Sequence, residues 1–132
     1  MKYLKISLLL ITATVIFFSA CKDEPIEPQD KEIPVITKIY PSFTHQSYDF
    51  GDTAFFKIKF KDNQQLANVS LRLYLETGEE ILLISKSPAA DSASIDTFVI
   101  MNDLRFSDLN FTIKAVDVAG NVALQSSHIH LR

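Results

Sequence analysis

Short runs of alternating apolar and polar residues constrain the fold of this chain more than any other feature of its sequence. In residues 56–61, phenylalanine or isoleucine alternates with lysine, and residues 69–76 and 109–116 alternate in a similar way. A period of two residues places one face of a β-strand in the core and the other face in solvent. These three runs therefore predict half-buried strands. Weaker candidates are residues 34–40, 46–50, 80–86, 94–101 and 121–131.

Turn-forming residues separate these runs, which predicts short strands joined by tight connections. The turn sequences lie at 40–42, 51–52, 62–63, 77–78, 87–88 and 119–121. No segment has a sustained helical stripe of apolar residues. Seven to eight short strands in a domain of about 100 residues predict an all-β fold. The leading candidate is an antiparallel two-sheet immunoglobulin-like sandwich, with a jelly roll or a small barrel as alternatives.

The last predicted strand carries two conflicting apolar patterns. Val122 and Leu124 share one parity, whereas Ile129 and Leu131 share the other. A slip of one residue turns every side chain of a strand over, so a strand with one buried face cannot bury both pairs. We therefore expect a bulge or bend near residues 125–127.

The first 20 residues have the layout of a secretory signal peptide. A basic start at residues 1–5 precedes an apolar run, residues 6–18, that is short for a membrane span. Small residues at 19 and 20 then lead into Cys21, the only cysteine of the chain. This stretch resembles a bacterial lipoprotein signal, in which the cysteine is acylated and becomes the mature N-terminus. An ordinary signal peptide cut near Ala20 and an uncleaved anchor helix are the alternatives.

Residues 22–32 are charged, contain proline and are nearly free of apolar side chains, which predicts a flexible tether. The expected organisation is a signal peptide at 1–20, the lipidated cysteine and tether at 21–32, and the sandwich at 33–132. The tether begins with Lys22, Asp23 and Glu24. A lysine followed by two acids is similar to the export signal of Bacteroidetes surface lipoproteins. The resemblance implies an outer-membrane protein on the cell surface, and the alternative is a polar tether without a signal.

The charge of the chain argues against nucleic acid as a partner. Removal of residues 1–20 takes away two of the 13 basic residues and none of the 16 acidic ones, so the net charge changes from −3 to about −5. Binding to phosphates needs clustered lysine or arginine. The lysines at 57, 59 and 61 instead alternate with apolar residues, as on the solvated face of one strand. With Cys21 acylated, no thiol remains for a disulfide or a sulfur-ligated metal.

Two stretches carry a further resemblance. Residues 60–66 read Phe-Lys-Asp-Asn-Gln-Gln-Leu, and residues 115–121 read Ala-Val-Asp-Val-Ala-Gly-Asn. Together with the leader, they resemble bacterial immunoglobulin-like and cadherin-like extracellular modules. More narrowly, they are similar to a group of short Bacteroidetes lipoproteins that carry a domain of unknown function. The resemblance implies an extracellular β-sandwich.

One constellation of polar residues suggests a metal site. Asp117 continues the inward parity of the apolar residues in 109–116, so its carboxylate should point into the loops. A buried carboxylate needs hydrogen-bond donors or a cation. The candidate calcium ligands are Asp62, Asn63, Asp117 and Asn121, with Asp30 and Glu32 as additional acids. The simpler interpretation, which the residues alone favour, is that Asp117 accepts backbone N–H bonds in its turn.

Histidines and aromatic residues provide weaker candidates. His128 and His130 are spaced to share one face of a strand, and His45 lies in an early loop. Such a pair can bind zinc, but no third ligand is visible in the sequence, which favours surface histidines without a function. Phe55 and Tyr74 are candidates for a binding surface, because their parity places them on the polar faces of strands. Tyr40 and Tyr48 are further exposed candidates.

Catalytic motifs are missing from the sequence. There is no Gly-x-Ser-x-Gly elbow, no phosphate-binding glycine loop and no His-Glu-x-x-His. We therefore predict that the chain is not an enzyme but a non-catalytic surface lipoprotein. It would act in binding, adhesion or scaffolding, with a glycan or a protein as its partner and the membrane reached through the lipid anchor. A periplasm-facing subunit of an envelope complex, and a small enzyme or enzyme inhibitor, are the alternatives.

Overall fold

A computed structural model describes residues 29–41, 45–101 and 108–132, and these residues form seven strands. The strands are β1 (Val35–Tyr40), β2 (His45–Tyr48), β3 (Thr53–Leu75), β4 (Glu80–Lys86), β5 (Ala90–Ile100), β6 (Asp108–Asp117) and β7 (Val122–Leu131). The predicted all-β class is confirmed. Over the described ranges, no helix is long and apolar enough to cross a bilayer. The predictions for the signal peptide (1–20), for Cys21 and for Lys22, Asp23 and Glu24 lie outside the described residues.

All seven strands belong to one hydrogen-bonded sheet, which differs from the two separate sheets predicted. Its main path runs β1-β3-β6-β7-β2, and β4 and β5 also pair with β3. The pairs are antiparallel except for β2 and β7, which are parallel. The predicted antiparallel sandwich is therefore corrected to a curled sheet of mixed direction. The physical reason is that one strand, β3, belongs to both halves of the sheet.

Strand β3 is long because it changes partners partway along its length. Its first half pairs with β1 and β5, and its second half pairs with β4 and β6. The β5 register shifts between Lys61 and Leu66, and the β6 register shifts between Leu66 and Asn68. The turn predicted at 62–63 is wrong, since the backbone stays extended there. These shifts change which parity of β3 faces the core, from even numbers up to Asp62 to odd numbers from Val69 onward.

The two halves of the sheet face each other across one core. Phe56 in the first half of β3 packs edge-on against Phe111 of β6, with ring centroids 5.5 Å apart. The largest fully buried side chains are Phe56, Phe60, Phe111, Ile58, Leu66, Leu71, Leu73, Ile95, Met101, Leu109, Ile113 and Ile129. The alternating runs of the sequence supply most of them. The sheet therefore curls so that residues of both halves of β3 bury one another.

The bulge expected in the last strand is absent from the β6–β7 pairing. Its register runs without a shift from Asp108 opposite His130 to Val116 opposite Val122. Ile129 is fully buried, whereas Val122 and Leu124 are 46% and 61% exposed. The prediction was wrong because the strand stays regular and leaves Val122 and Leu124 exposed. The straight register aligns the outward side chains of β6 and β7.

Candidate functional site

Three aspartates converge at one end of the sheet. Asp30 precedes β1, Asp62 lies where β3 changes partners, and Asp117 ends β6. Each offers one carboxylate oxygen, and these three oxygens lie within 4.8 Å of one another. Asp62 is 6% exposed and Asp117 is 2% exposed, so two of the three carboxylates are buried. We call this group the acidic cluster.

The Asp117 carboxylate is held by its own turn. Its Oδ1 accepts a hydrogen bond of 2.7 Å from the backbone N–H of Asn121, and its Oδ2 accepts one of 2.7 Å from the Asn121 side chain. Burial raises the pKa of the Asp117 carboxyl, but hydrogen bonds from Asn121, and from the backbone of Gly120 and Ala119, outweigh burial and lower the pKa below its ordinary value. Gly120 has a φ of +92°, which glycine adopts without strain. Asp117 is therefore a carboxylate in the folded protein.

The other two carboxylates are less satisfied. Asp62 Oδ2 accepts a bond from the backbone of Gln64, and Asp30 Oδ1 accepts bonds from the Glu32 backbone and the Asn63 side chain. The remaining oxygens, Asp62 Oδ1 and Asp30 Oδ2, are buried and have no hydrogen-bond partner among the described residues. A buried polar atom without a partner is costly. Two such atoms in a group of three acids make the acidic cluster a candidate cation site.

The two asparagines of the predicted ligand set turn their amide nitrogens toward this cluster. Asn63 Nδ2 donates to Asp30 Oδ1 over 3.1 Å. Asn121 Nδ2 donates to Asp117 Oδ2 and, over 3.1 Å, to the backbone carbonyl of Asp30. In this arrangement Asn63 and Asn121 orient the carboxylates, and the candidate ligands are the three aspartates. The structure thus brings Asp30 together with Asp62 and Asp117, while Glu32 contributes its backbone N–H to Asp30.

A second group of potential metal ligands lies on β6 and β7. His130 Nδ1 is 2.6 Å from Asp108 Oδ1, and His128 Nε2 is 3.1 Å from His130 Nε2. Sequence reasoning missed Asp108 as a partner of these histidines. Counting the antiparallel register outward from the turn at 118–121 would have placed Asp108 opposite His130. The backbone of His45 lies in β2 rather than in a loop, where it pairs in register with His128.

The predicted binding residues Phe55 and Tyr74 lie on different halves of β3. Phe55 is 55% exposed, and its ring is 6.2 Å from that of Phe98, which is 56% exposed. A shallow depression of ≈ 350 Å³ lies beside Phe55 and is lined also by Tyr40, Lys57 and Asp96. Tyr74 is partly buried, and the Arg72 guanidinium lies over its ring, 5.4 Å from the ring centroid. The structure therefore supports Phe55, with Phe98, as part of an exposed aromatic patch, and places Tyr74 elsewhere.

Comparisons with known proteins provide only distant similarities. No protein-family model and no curated protein matches the chain. Among solved structures, the chain is similar to OgpA from Akkermansia muciniphila, with 12% identity and a TM-score of 0.48 over 82% of this chain and 32% of OgpA. It is also similar to superoxide reductase (neelaredoxin) from Ignicoccus hospitalis, with 9% identity and a TM-score of 0.45 over 76% of this chain and 81% of that protein. The chain spans about a third of OgpA.

The prediction that the chain is not an enzyme is corrected by these comparisons. A superoxide reductase (neelaredoxin) is among the structures to which the chain is similar, and a lack of sequence motifs does not exclude catalysis. Function depends on the site rather than on the fold. At 9–12% identity, no activity or residue role is transferred from these proteins to this chain.

Proposed function

We propose that this protein is a lipid-anchored module of the cell envelope whose folded domain binds calcium through Asp30, Asp62 and Asp117. The single observation that carries the calcium site is the convergence of three carboxylate oxygens within 4.8 Å, at a point where two buried oxygens have no partner among the described residues. The role of the module is binding or scaffolding. Its anchor is the acylated Cys21 expected from the sequence.

Calcium fits the chemistry of this cluster better than other ions. Calcium binds oxygen ligands at about 2.3–2.6 Å, so two oxygens on one ion are at most about 5 Å apart. The three carboxylate oxygens, all within 4.8 Å, meet this limit. The cluster offers no nitrogen or sulfur ligand, which disfavours zinc and copper. The charge of the ion would also offset the repulsion among three carboxylates.

The topology supports an immunoglobulin-like arrangement for the domain. The first half of β3 lies between β1 and β5, and the second half lies in the order β4-β3-β6-β7-β2. Treating the two halves of β3 as successive strands produces two facing layers with Greek-key connections, as in such sandwiches. The likeness to bacterial immunoglobulin-like and cadherin-like modules, including the short Bacteroidetes lipoproteins, is part of this proposal.

The acidic cluster has a direct mechanical consequence for an anchored protein. Asp30 belongs to the segment that joins the domain to the membrane anchor, whereas Asp62 and Asp117 belong to the core strands. An ion held by all three would fix the end of the tether against the domain. Calcium would then set the direction in which the domain projects from the membrane, and chelation would loosen that orientation.

Calcium titration of the melting temperature tests the site. An ion that binds only the folded state stabilises it by RT ln(1 + [L]/Kd), or about 2.7 kcal/mol at 100-fold excess over Kd. For a domain of this size, each kcal/mol raises Tm by about 4–8 °C. We expect millimolar calcium to raise Tm relative to a chelator, and magnesium to raise it less because it demands octahedral geometry. No shift at millimolar calcium would overturn the proposal.

Protease treatment of intact cells tests the location. We propose that Lys22, Asp23 and Glu24 direct the lipoprotein to the outer surface, so added protease should remove the protein from intact cells. Replacing all three residues by alanine should protect it until the cells are broken, with acylation at Cys21 unchanged as the control. Protection of the wild-type protein would instead favour a periplasm-facing subunit of an envelope complex.

The aromatic patch is the proposed contact surface for a partner. Phe55 and Phe98 are opposite each other in the β3–β5 register and both are more than half exposed. Lys57 pairs with Asp96 in the next outward-facing position, which provides a charged edge. An apolar centre with a polar rim is typical of protein interfaces. A protein partner therefore suits this patch better than a glycan.

A further inference from the structure

The outer face of the β6–β7 pair holds two histidines and an aspartate in a fixed arrangement. Ile129 is fully buried, so the neighbouring residues His128 and His130 project from the opposite face of β7. The unbroken antiparallel register places Asp108 directly opposite His130 and Asn110 opposite His128. Cross-strand neighbours on one face of a sheet are within side-chain contact. The pairing of β6 and β7 thus brings Asp108, His128 and His130 together without the help of an ion.

The two imidazole rings bring the same type of nitrogen close together. His128 Nε2 and His130 Nε2 are 3.1 Å apart, and the rings are nearly perpendicular, at 80° with centroids 4.6 Å apart. Two nitrogens bound tetrahedrally to zinc at about 2.0–2.1 Å are about 3.3 Å apart. The observed separation of 3.1 Å is close to this value, so the two nitrogens have a spacing suited to one tetrahedral ion.

Asp108 contacts the other ring nitrogen of His130, Nδ1. Its Oδ1 lies 2.6 Å from His130 Nδ1, and the Asp108 side chain is 22% exposed, compared with 43% for His130. A carboxylate that accepts the Nδ1–H bond fixes the neutral tautomer in which Nε2 carries no proton. Carboxylate–histidine–metal arrangements of this kind orient the ring and increase its basicity as a ligand.

We propose that His128 and His130 bind a first-row transition ion of the zinc type through their Nε2 atoms, with Asp108 as the positioning residue. The two imidazole nitrogens would fill two of the four coordination positions of a tetrahedral ion. Imidazole nitrogens suit zinc, copper or nickel and are poor ligands for calcium. This site is distinct from the acidic cluster, because Asp108 and Asp117 are at opposite ends of β6, about 30 Å apart at 3.3 Å per residue.

The competing interpretation is a direct hydrogen bond between the two rings, continued from His130 to Asp108. That chain needs no metal and would stabilise the pairing of β6 and β7 by itself. The two interpretations predict different responses to an added ion. Only the metal site would show saturable binding of one ion that depends on both histidines.

The test is a titration of the full chain with Zn²⁺ alone, by calorimetry, in calcium-containing buffer and with a purification tag that lacks histidine. We expect saturable binding of one ion to the wild type. Asp108→Asn should weaken the affinity about 10–100-fold, as measured for residues that orient metal-bound histidines. His128→Asn and His130→Asn should each remove saturable binding. Titration with Co²⁺ should produce the visible absorption of a nitrogen-bound ion in the wild type and not in His130→Asn.

Two controls keep the result interpretable. Thr112→Val removes the contact between Thr112 Oγ1 and Ser126 Oγ on the same face and should leave zinc affinity unchanged. Asp62→Asn alters the acidic cluster and should also leave it unchanged. Circular dichroism without metal confirms that each variant is folded. Absence of saturable zinc binding in the wild type, or its persistence in both histidine variants, would overturn the proposal without affecting the calcium site.

Discussion

The side chain of Asn121 donates a hydrogen bond of 3.1 Å to the backbone carbonyl of Asp30, which lies 91 residues earlier in the chain. The same amide nitrogen also donates to Asp117 Oδ2 over 2.7 Å. Asn121 therefore joins the segment that enters the domain to the turn between its last two strands. This contact assembles the acidic cluster from segments that are remote in sequence.

Replacement of Asn121 by alanine tests this contact. The change removes both hydrogen bonds of the amide, one of them to the Asp117 carboxylate. Hydrogen bonds to charged groups contribute about 1.5–3 kcal/mol each, so we expect a loss of at least about 1.5 kcal/mol in the free energy of unfolding. Urea denaturation of the wild type and of Asn121→Ala in the presence of a chelator would measure this loss. The control is Asn110→Ala, which leaves the acidic cluster intact.

The pH dependence of stability should report the lowered pKa of Asp117. The carboxyl has a lower pKa in the folded protein than in the unfolded chain, where it is about 3.9. Its contribution is therefore fully present above about pH 3.9 and is lost as the pH falls through the folded pKa. In a chelator, the stability difference between wild type and Asp117→Asn should shrink as the pH is lowered below about 4. A difference that stays constant in acid would contradict this assignment.

Asp62→Asn should have opposite effects with and without calcium. Without calcium, the change removes one of three converging negative charges and replaces the unpartnered Oδ1 of Asp62 by a group that can donate a hydrogen bond. We expect the variant to be more stable than wild type by about 1 kcal/mol in a chelator. In millimolar calcium the order should reverse, because the variant lacks a charged ligand.

Thermal melts of both proteins in a chelator and in calcium would measure this reversal. The matched control is Asp91→Asn, whose side chain is exposed and lies outside the acidic cluster. Equal calcium shifts in wild type and Asp62→Asn would show that Asp62 is not a ligand.

Two adjacent phenylalanines provide a test of the core. Phe56 is fully buried against Phe111, whereas Phe55 is 55% exposed on the other face of β3. Phe56→Ala should lower the free energy of unfolding by about 3–5 kcal/mol, because the smaller side chain buries less apolar surface and leaves a cavity. Phe55→Ala should change stability by no more than about 0.5 kcal/mol. Urea unfolding would measure both changes, provided that the dependence of the unfolding free energy on urea concentration is the same in all three proteins. Similar losses of stability in the two variants would contradict the assigned parity of β3.

Local patterns in the sequence predict much of the fold. The bounds expected for residues 80–86 are those of β4, and the inward parity of Asp117 is confirmed by its burial. The exposure of Phe55 likewise follows from its parity. Each of these properties depends on the two-residue period of a strand, which a short window of sequence already contains.

Other predictions failed where a local pattern allows two outcomes. The polar pair at 62–63 has the composition of a turn, yet β3 continues through it, because β5 and β6 supply backbone partners on both sides of the change. The conflicting parities of β7 suggested a bulge, yet Val122 and Leu124 are exposed instead. In both places the pairing of distant strands decided between conformations that the local residues allow.

The sequence by itself determined the class of fold and the buried faces of most of its strands. These depend on composition and on a period of two residues, so they need no knowledge of distant contacts. Only the tertiary structure decided that Asp30 meets Asp62 and Asp117, and that Asp108 meets His130. The physical reason is that strand pairing brings together residues 22 to 87 positions apart, and such pairing is set by the packing of the whole core rather than by any one segment.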